Sequence, residues 1–396
     1  MTKVAMVVFS FYPADPRVRR EAEALRDKGM EVHVLCLRAQ DECNIEEFGS
    51  IKAYRIMNGT DNKEGFIQYV FLTVLFTILA FVALIRLAVQ HRYSAIQFHN
   101  MPDYLVFAGL MHKILGRPII LDLHDLTPEL FESKWGTGRA KHLIRLVKFM
   151  ERIACRFSNQ IITTSVGFQN RLVERGISKC KIALVLNSAN PLVFRRERPQ
   201  EFNEILKNVK LLYHGTVARR FGLHVLIEAL DGLRTEIPNT HLSVYGKYDP
   251  TYRAELEEMI TRLGLGANVA LLGYLSQEEV RKEIEMADIG IVPYLSDVFM
   301  GLALSTKTFE YVVMKLPVIA ARLPSLTSIF GDESVTYFEP GDPIDLKNKI
   351  AEVCTNGNLR QTQTERAFAA YSDFSWPIMS KRYVNLIETL VSPERK

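Results

Sequence analysis

Strand-patterned and helix-patterned segments alternate along this chain in two separate series, and that repetition restricts the fold more than any other feature. The first series opens with VAMVVFSFY, a helix over DPRVRREAEALRDKG closed by Gly29, and EVHVLCLR. After the apolar segment 66–86 it resumes with AIQFHN, a helix over DYLVFAGLMHKILG, IILDLHD, a helix over 138–157, QIITTS, a helix through QNRLVERG, and KIALVLNS. The second series runs VKLLYHGTV, FGLHVLIEALDGL, HLSVYG, YRAELEEMITRLG, VALLGYL, SQEEVRKEIEMA, DIGIVPYL and STKTFEYVVMKLPVIAAR. Such alternation implies parallel sheets covered on both faces by helices. The expected plan is a first domain over 1–190, a linker over 191–208 where PLVFRRERPQEF concentrates proline and charge, and a second domain over 209–375. A C-terminal helix over 376–396 is expected to return to the first domain. With 396 residues, 48% hydrophobic, the chain has material for two ordinary cores, and the cleft between two such domains is the expected ligand site.

Composition narrows the setting. The five cysteines, Cys36, Cys43, Cys155, Cys180 and Cys354, are odd in number, widely spaced and free of C-x-x-C, which argues against disulfides or a zinc site and for a reducing, cytoplasmic compartment. The apolar run at 4–12 is too short for a signal sequence and reads as a first strand. The net charge of +4 is unevenly spread. Residues 1–200 hold 28 Lys+Arg and 19 Asp+Glu, or +9, leaving 49 − 28 = 21 against 45 − 19 = 26, or −5, in the remainder. The basic half is a candidate for an anionic surface.

The stretch 305–322 is a short helix and strand with chemistry on it. Ser305 stands at the N-cap position, and Phe309, Val312, Val313 and Leu316 repeat at helical spacing, so one face is expected to be buried. Lys307 and Glu310 sit three apart on another face. A helix N-terminus with a lysine in its first turn suits an anion, most simply a diphosphate, and Glu310 can accept hydrogen bonds from ribose hydroxyls. An ordinary surface Lys/Glu pair has the same spacing.

Three further features carry readings. In the first helix, Val18, Ala22 and Leu25 are expected to face inward, leaving Asp15, Arg17, Arg19 and Arg20 near the strand-to-helix turn where doubly wound sheets bind ligands. Arg17 is read there either as an anion-binding group or as one of a solvated cluster. The segment 70–85 contains no charge, yet its sixteen residues fall short of the roughly 20 needed to cross a bilayer. The expectation is a helix at 66–90 packed on the sheet by one face, with its surplus apolar face in a membrane interface or under a partner. Arg145, Lys148, Arg152 and Arg156 form a basic stripe opposite Ile144, Val147 and Ile153, suited either to anionic lipid or simply to solvent. Strand alternation puts Asp122 and His124 on one face and Asp125 on the other, which argues against a metal cluster there.

DPRVRREAEAL, LDLHD, YHGTVARRFGL, LLGYLSQEEV with ADIGIVPY, and STKTFEYVVMKLPVIA, taken in this order and spacing, resemble the retaining nucleotide-sugar glycosyltransferases of family 4 across nearly the whole chain. The resemblance implies an α/β GT-B architecture of two facing Rossmann-like, doubly wound domains with a helical tail crossing back. It implies transfer of a sugar, with retention, from a nucleoside-diphosphate sugar to a lipid-linked or growing polysaccharide acceptor. The expected setting is peripheral, on the cytoplasmic face of an anionic membrane, with no cofactor, no metal and no nucleic acid. His124 and Asp125 then act at the sugar, and Arg219, Arg220, Thr306 and Lys307 hold the diphosphate. Glu310 takes the ribose, Gly246, Tyr274 and Leu275 line the base, and Asp15 and Arg17 lie on the acceptor side.

Three positions depart from the family pattern. Leu302 replaces the first of two glutamates separated by seven residues, PheTyrProAlaAsp replaces a glycine-rich loop, and Lys315 replaces the glycine that closes the anchor helix. A left-handed Lys315 would cost about 1 kcal/mol. Two other readings keep the same architecture. A nucleotide-sugar epimerase would draw its acid and base from Asp122 and Asp125, and a non-catalytic scaffold subunit would tolerate the loss of the first glutamate.

Overall fold

Consecutive apolar residues, as in VAMVV and IIL, produce strands buried on both faces, and these strands form the centres of two sheets. The computed structural model describes residues 1–59, 65–135, 141–202 and 204–392. The chain divides into two compact units, Met1–Leu186 with Met379–Lys396, and Asn187–Ile378.

In the first unit the strands are β1 (Lys3–Phe11), β2 (Glu31–Arg38), β3 (Ile45–Phe48), β4 (Ile51–Asn58), β5 (Ala95–His99), β6 (Ile119–Leu123), β7 (Gln160–Thr163) and β8 (Ile182–Leu184). They lie in the order β3-β4-β2-β1-β5-β6-β7-β8, parallel except for β3 against β4. The β3–β4 pair is absent from the sequence reading, because IEEF is short and IKAYRIMN is only half-apolar. The helices are α1 (Pro16–Asp27), α2 (Phe66–Gln90), α3 (Leu110–Ile114), α4 (Thr127–Trp135), α5 (Lys141–Phe157) and α6 (Val166–Glu174). Residue 138, the expected start of α5, lies outside the described residues. Strand order reverses at β1, which has β2 on one side and β5 on the other, so the loops after β1 and β5 open at a switch point.

The second unit has β9 (Val209–His214), α7 (Leu223–Leu233), β10 (Thr240–Tyr245), α8 (Pro250–Leu263), β11 (Val269–Leu272), α9 (Gln277–Met286), β12 (Ile289–Val292), α10 (Thr306–Val313), β13 (Val318–Ala321), α11 (Pro324–Thr327), β14 (Thr336–Phe338), α12 (Pro343–Thr355) and α13 (Gly357–Ser372). Its sheet, β11-β10-β9-β12-β13-β14, is wholly parallel and switches direction at β9. Ser276 opens α9 with a reciprocal capping box to Glu279. The charged segment 191–208 packs within this unit, where Arg196 donates to the carbonyls of Met314 at 2.8 Å and Glu285 at 3.0 Å. The last helix, α14 (Trp376–Val391), buries Met379, Tyr383, Val384, Ile387 and Leu390, and from Met379 onward it belongs to the first unit.

The helix α2 corrects the length argument. It has 25 residues, about 37 Å at 1.5 Å per residue, long enough to cross a hydrocarbon core. Topology holds it against the domain instead, since β4 before it and β5 after it belong to one sheet. Only Thr73, Phe76, Ala80 and Leu84, one narrow stripe, are buried. In α5, Arg145, Lys148, Arg152 and Arg156 are exposed as expected, Ile144 is buried, and Val147 and Ile153 are half-buried. Leu146 and Phe149 are also exposed, within the basic stripe.

Candidate active site

The second unit builds its site around a buried ammonium group. Ser305 occupies the N-cap position of α10 but makes no side-chain cap bond, and its hydroxyl lies 3.2 Å from the Tyr294 hydroxyl. Phe309, Val312 and Leu316 are buried as the periodicity predicts, while Val313 is only half-buried. Lys307 does not reach outward: its side chain runs inward and is 6% exposed. Its Nζ donates to Tyr294 Oη at 2.5 Å and Tyr213 Oη at 3.3 Å. The rings of Tyr213, Tyr294 and Phe221 surround it at 4.4, 4.6 and 5.3 Å. Among the described residues no carboxylate pairs with it. Beside it passes Gly215, whose φ of +114° favours glycine and where a Cβ would sit 3.3 Å from Lys307 Cε.

Glu310, one turn further on, has Oε2 3.2 Å from His214 Nε2. Burial first, then the charge of Lys307, pushes the His214 imidazole down to about 3, so it is neutral at pH 7. Thr306 is exposed at the first turn of α10. The two arginines differ. Arg219 is exposed and ion-paired to Glu255, whereas the half-buried Arg220 has no ion-pair partner among the described residues. Of the two, Arg220 is the one available to an anion.

Gly246, expected along the base, has a structural reason as well. A Cβ there would lie 1.7 Å from the Gly215 carbonyl oxygen, so the loops after β9 and β10 touch only because this residue is glycine. Its amide donates to Gly273 O at 3.1 Å, which brings the Gly273–Tyr274–Leu275 segment alongside. Tyr274 is 67% exposed with Lys247 Nζ 5.1 Å above its ring, and Leu275 is half-buried. Lys315, at the end of α10, has φ 52°, so the residue that stands in place of the family's closing glycine is left-handed.

In the first unit, His124 follows β6 with its backbone held on both sides. Its amide donates to Asn100 Oδ1 at 2.8 Å, and its carbonyl accepts from Thr164 Oγ1 at 3.0 Å. The imidazole Nε2 lies 3.3 Å from Asp122 Oδ2 and 3.0 Å from His99 Nδ1. Burial pulls the His124 pKa down, but the charge and hydrogen bond of Asp122 outweigh it, and the net direction is up from 6.5. Burial also works against the Asp122 charge, yet Arg17 first and His124 next hold that carboxyl well below the usual range. Asp125 is half-buried, and its carbonyl accepts from Asn100 Nδ2 at 2.7 Å.

Arg17 overturns both readings offered for it. It is 4% exposed and makes a fork to Asp122, with Nε 3.0 Å from Oδ2 and Nη2 2.8 Å from Oδ1. It is neither solvated nor open to an acceptor, because its partner lies 105 residues away where local patterning does not reach. Arg20 is buried too, and Arg19 half-buried. Asp15 caps α1, accepting from the amides of Arg17 at 3.1 Å and Val18 at 3.2 Å. His99 is the residue sequence reasoning missed. It pairs in register with Asp122 on the adjacent strand, and one donor atom each of His99, Asp122 and His124 lies within 4.8 Å of the others. His99, not Asp125, is the third member of the group with Asp122 and His124. Both Asp122 oxygens already face Arg17, so the carboxylate is neutralised by a guanidinium.

These features match known proteins along nearly the whole chain. The family model described as Glycosyltransferase Family 4 matches residues 16–191, and that described as Glycosyl transferases group 1 matches residues 194–369. The uncharacterized glycosyltransferase MJ1607 of Methanocaldococcus jannaschii is 23% identical over 314 residues, 74% of this chain and 75% of its own. Among solved structures, the sucrose-phosphate synthase of Thermosynechococcus elongatus superposes with a TM-score of 0.78 at 17% identity, covering 98% of this chain and 99% of the other. Anabaena Alr3699/HepE in complex with UDP-glucose gives 0.72 at 18%, covering 98% and 100%. The two units are thus the parallel-sheet domains of the GT-B fold. The chain is a glycosyltransferase of the group 1 and family 4 type.

Proposed function

We propose that the protein transfers a sugar, with retention, from a nucleoside-diphosphate sugar to a lipid-linked or growing polysaccharide acceptor at the cytoplasmic face of a membrane. The observation that carries the donor half is Lys307, a buried ammonium with no counterion among the described residues, at the N-terminus of α10. A departing diphosphate needs fixed positive charge, and Lys307, Arg220 and the α10 amides supply it without a metal. Thr306 flanks that group, Glu310 takes the ribose, and the Gly246 and Tyr274–Leu275 edge takes the base. His124 and Asp125 serve the sugar. HepE has been crystallised with UDP-glucose, which makes a uridine donor the first to try.

The acceptor half rests on the apolar surface of the first unit. Phe71, Val74, Leu75, Ile78, Val82 and Ile85 of α2 are exposed. So are Leu110, Met111 and Ile114 of α3, which adjoins α2 through His112 and Leu84 O at 3.4 Å. On the other side α3 meets α5 through Lys113, whose Nζ lies 5.0 Å over the Phe157 ring, and α5 adds Leu146 and Phe149 beside its basic stripe. Apolar side chains rimmed by arginine and lysine suit an anionic lipid surface.

A panel of nucleotide sugars with and without extracted lipid acceptors tests this reading. Free nucleoside diphosphate released only with acceptor, and unaffected by EDTA, supports it. An altered sugar without acceptor means an epimerase instead, and no turnover means a scaffold. His124→Ala is expected to lower turnover more than nucleoside-diphosphate affinity. Burying four of the exposed side chains would contribute at most about 6–12 kcal/mol, and each basic residue near anionic lipid about 1 kcal/mol more. Leu75, Ile78 and Val82 changed together to Ser should therefore release the protein from phosphatidylglycerol vesicles. Wild-type protein that ignores such vesicles removes the support for a lipid-linked acceptor.

A further inference from the structure

Arg17, Glu21, Gln97 and Tyr383 have no role in the reading above, yet they connect the last helix of the chain to the carboxylate beside His124. Tyr383 Oη donates to Gln97 Oε1 at 2.6 Å, across 286 residues of sequence. Gln97 Nε2 donates to Glu21 Oε2 at 2.7 Å and lies 3.5 Å from Asp122 Oδ2. Arg17 Nη1 donates to Val185 O at 3.1 Å, Nε and Nη2 grip Asp122, and the same Nη2 is 3.1 Å from Glu21 Oε1. Glu21, Gln97, Asp122 and Tyr383 are each fully buried.

We propose that Arg17 and Tyr383 are positioning residues for His124, acting through Asp122. A carboxylate held by one contact can turn about its last bond, whereas a two-point fork from a guanidinium fixes its plane. Fixing Asp122 fixes the oxygen that His124 meets. Arg17 must in turn be held, and Glu21, Val185 O and the Gln97–Tyr383 pair surround it. A buried ion pair is weak support for stability compared with apolar packing of the same volume, so its retention at this strand end points to geometry. Tyr383 enters only when α14 has returned to the first unit, so the clamp is complete only with the tail in place. This inference rests on His124 serving the sugar.

The test is Tyr383→Phe, which removes one oxygen and no packing volume. Turnover per nucleotide-binding site should fall ~5-fold or more with donor KM within ~2-fold, the pattern of a lost transition-state contact. Arg17→Lys, which keeps the charge and loses the fork, should fall further. In an Asp122→Asn background the Tyr383→Phe change should cost nothing more, because the path runs through Asp122. Ile387→Val on the same helix should lower Tm and leave turnover per site unchanged, which separates positioning from simple packing. The ring nitrogen resonance of His124, identified by its loss in His124→Gln, should move in Tyr383→Phe whether or not any sugar is transferred. An unmoved resonance with unchanged turnover, or an equal loss in the Asp122→Asn background, overturns the proposal. A moved resonance with unchanged turnover upholds the clamp and overturns the assignment of His124 to the sugar.

Discussion

Arg17 in the first unit and Lys307 in the second are both buried near the carboxyl ends of strands, and the two are treated in opposite ways. Arg17 in the first unit is saturated, with a fork to Asp122, Glu21 at 3.1 Å and a backbone carbonyl. Lys307 in the second has two tyrosine hydroxyls and three ring faces, and no carboxylate within ion-pair distance among the described residues. Ring faces attract a cation without neutralising it. A buried charge left this way costs stability, which the loading of an anionic ligand can offset. Burial alone therefore does not mark a functional cation. What marks it is burial without a counter-charge, and by that measure Lys307 is the candidate ligand group while Arg17 is part of the frame.

The largest expected effect is on stability, and it tests the paired half. Arg17→Met leaves Asp122 buried without its guanidinium, a type of loss that typically costs about 3–5 kcal/mol. Lys307→Met leaves no stranded anion and should hold or raise the melting temperature of the unliganded protein. Urea unfolding of the two variants beside wild type checks this. Equal destabilisation by both would erase the distinction between the two cations.

The next effect is on binding and tests the unpaired half. Lys307→Met should weaken nucleoside-diphosphate binding by about 1.5–3 kcal/mol, the usual range for a charged hydrogen bond, or roughly 10- to 150-fold. Glu310→Gln should lose less, since a ribose hydroxyl still finds an amide. Titration calorimetry with UDP and GDP reads both. A Lys307→Met variant that binds either diphosphate as wild type does would remove the anchor from the second unit.

How much of this was legible in the sequence follows from the distance between partners. Lys307 and Glu310 declare themselves within one helical turn, and the loops around Gly246 and Tyr274 follow from strands that run in chain order. Lys315 drew notice because it stands where the resembling family closes the helix with glycine, and its φ of 52° is the left-handed value that glycine serves. Arg17 could not be read, since nothing in DPRVRR announces a carboxylate 105 residues later. His99 was within reach: QFH and LDLH end neighbouring parallel strands, and the pairing of His99 with Asp122 follows from that alignment. The helix expected at 66–90 runs Phe66–Gln90, and only its spanning length was underestimated, because the run without charge from 70 to 85 was taken for the whole apolar segment. Its one-sided burial was legible, because the strands on either side belong to one sheet.

The smallest effect sharpens the paired half through its third member. Burial pushes the Glu21 carboxyl up from 4.5 to about 8, against the pull of Arg17. An acid whose folded pKa lies above its unfolded value contributes stability that is present below the unfolded pKa and is lost as pH rises through the folded one. Wild type should therefore lose stability from this group between about pH 4.5 and pH 8, and then level off. Glu21→Gln has no proton to lose and keeps a polar group beside Arg17 and Gln97. Its stability relative to wild type should climb across that window and stay flat above it, while Asp122, held low by Arg17, contributes in the opposite sense only at acid pH. Melting temperatures of the two proteins at half-unit intervals from pH 5 to 9 read the difference directly. A constant offset across the range would mean that Glu21 is ionised in the folded protein, and that Arg17 is then shared between two carboxylates instead of committed to one.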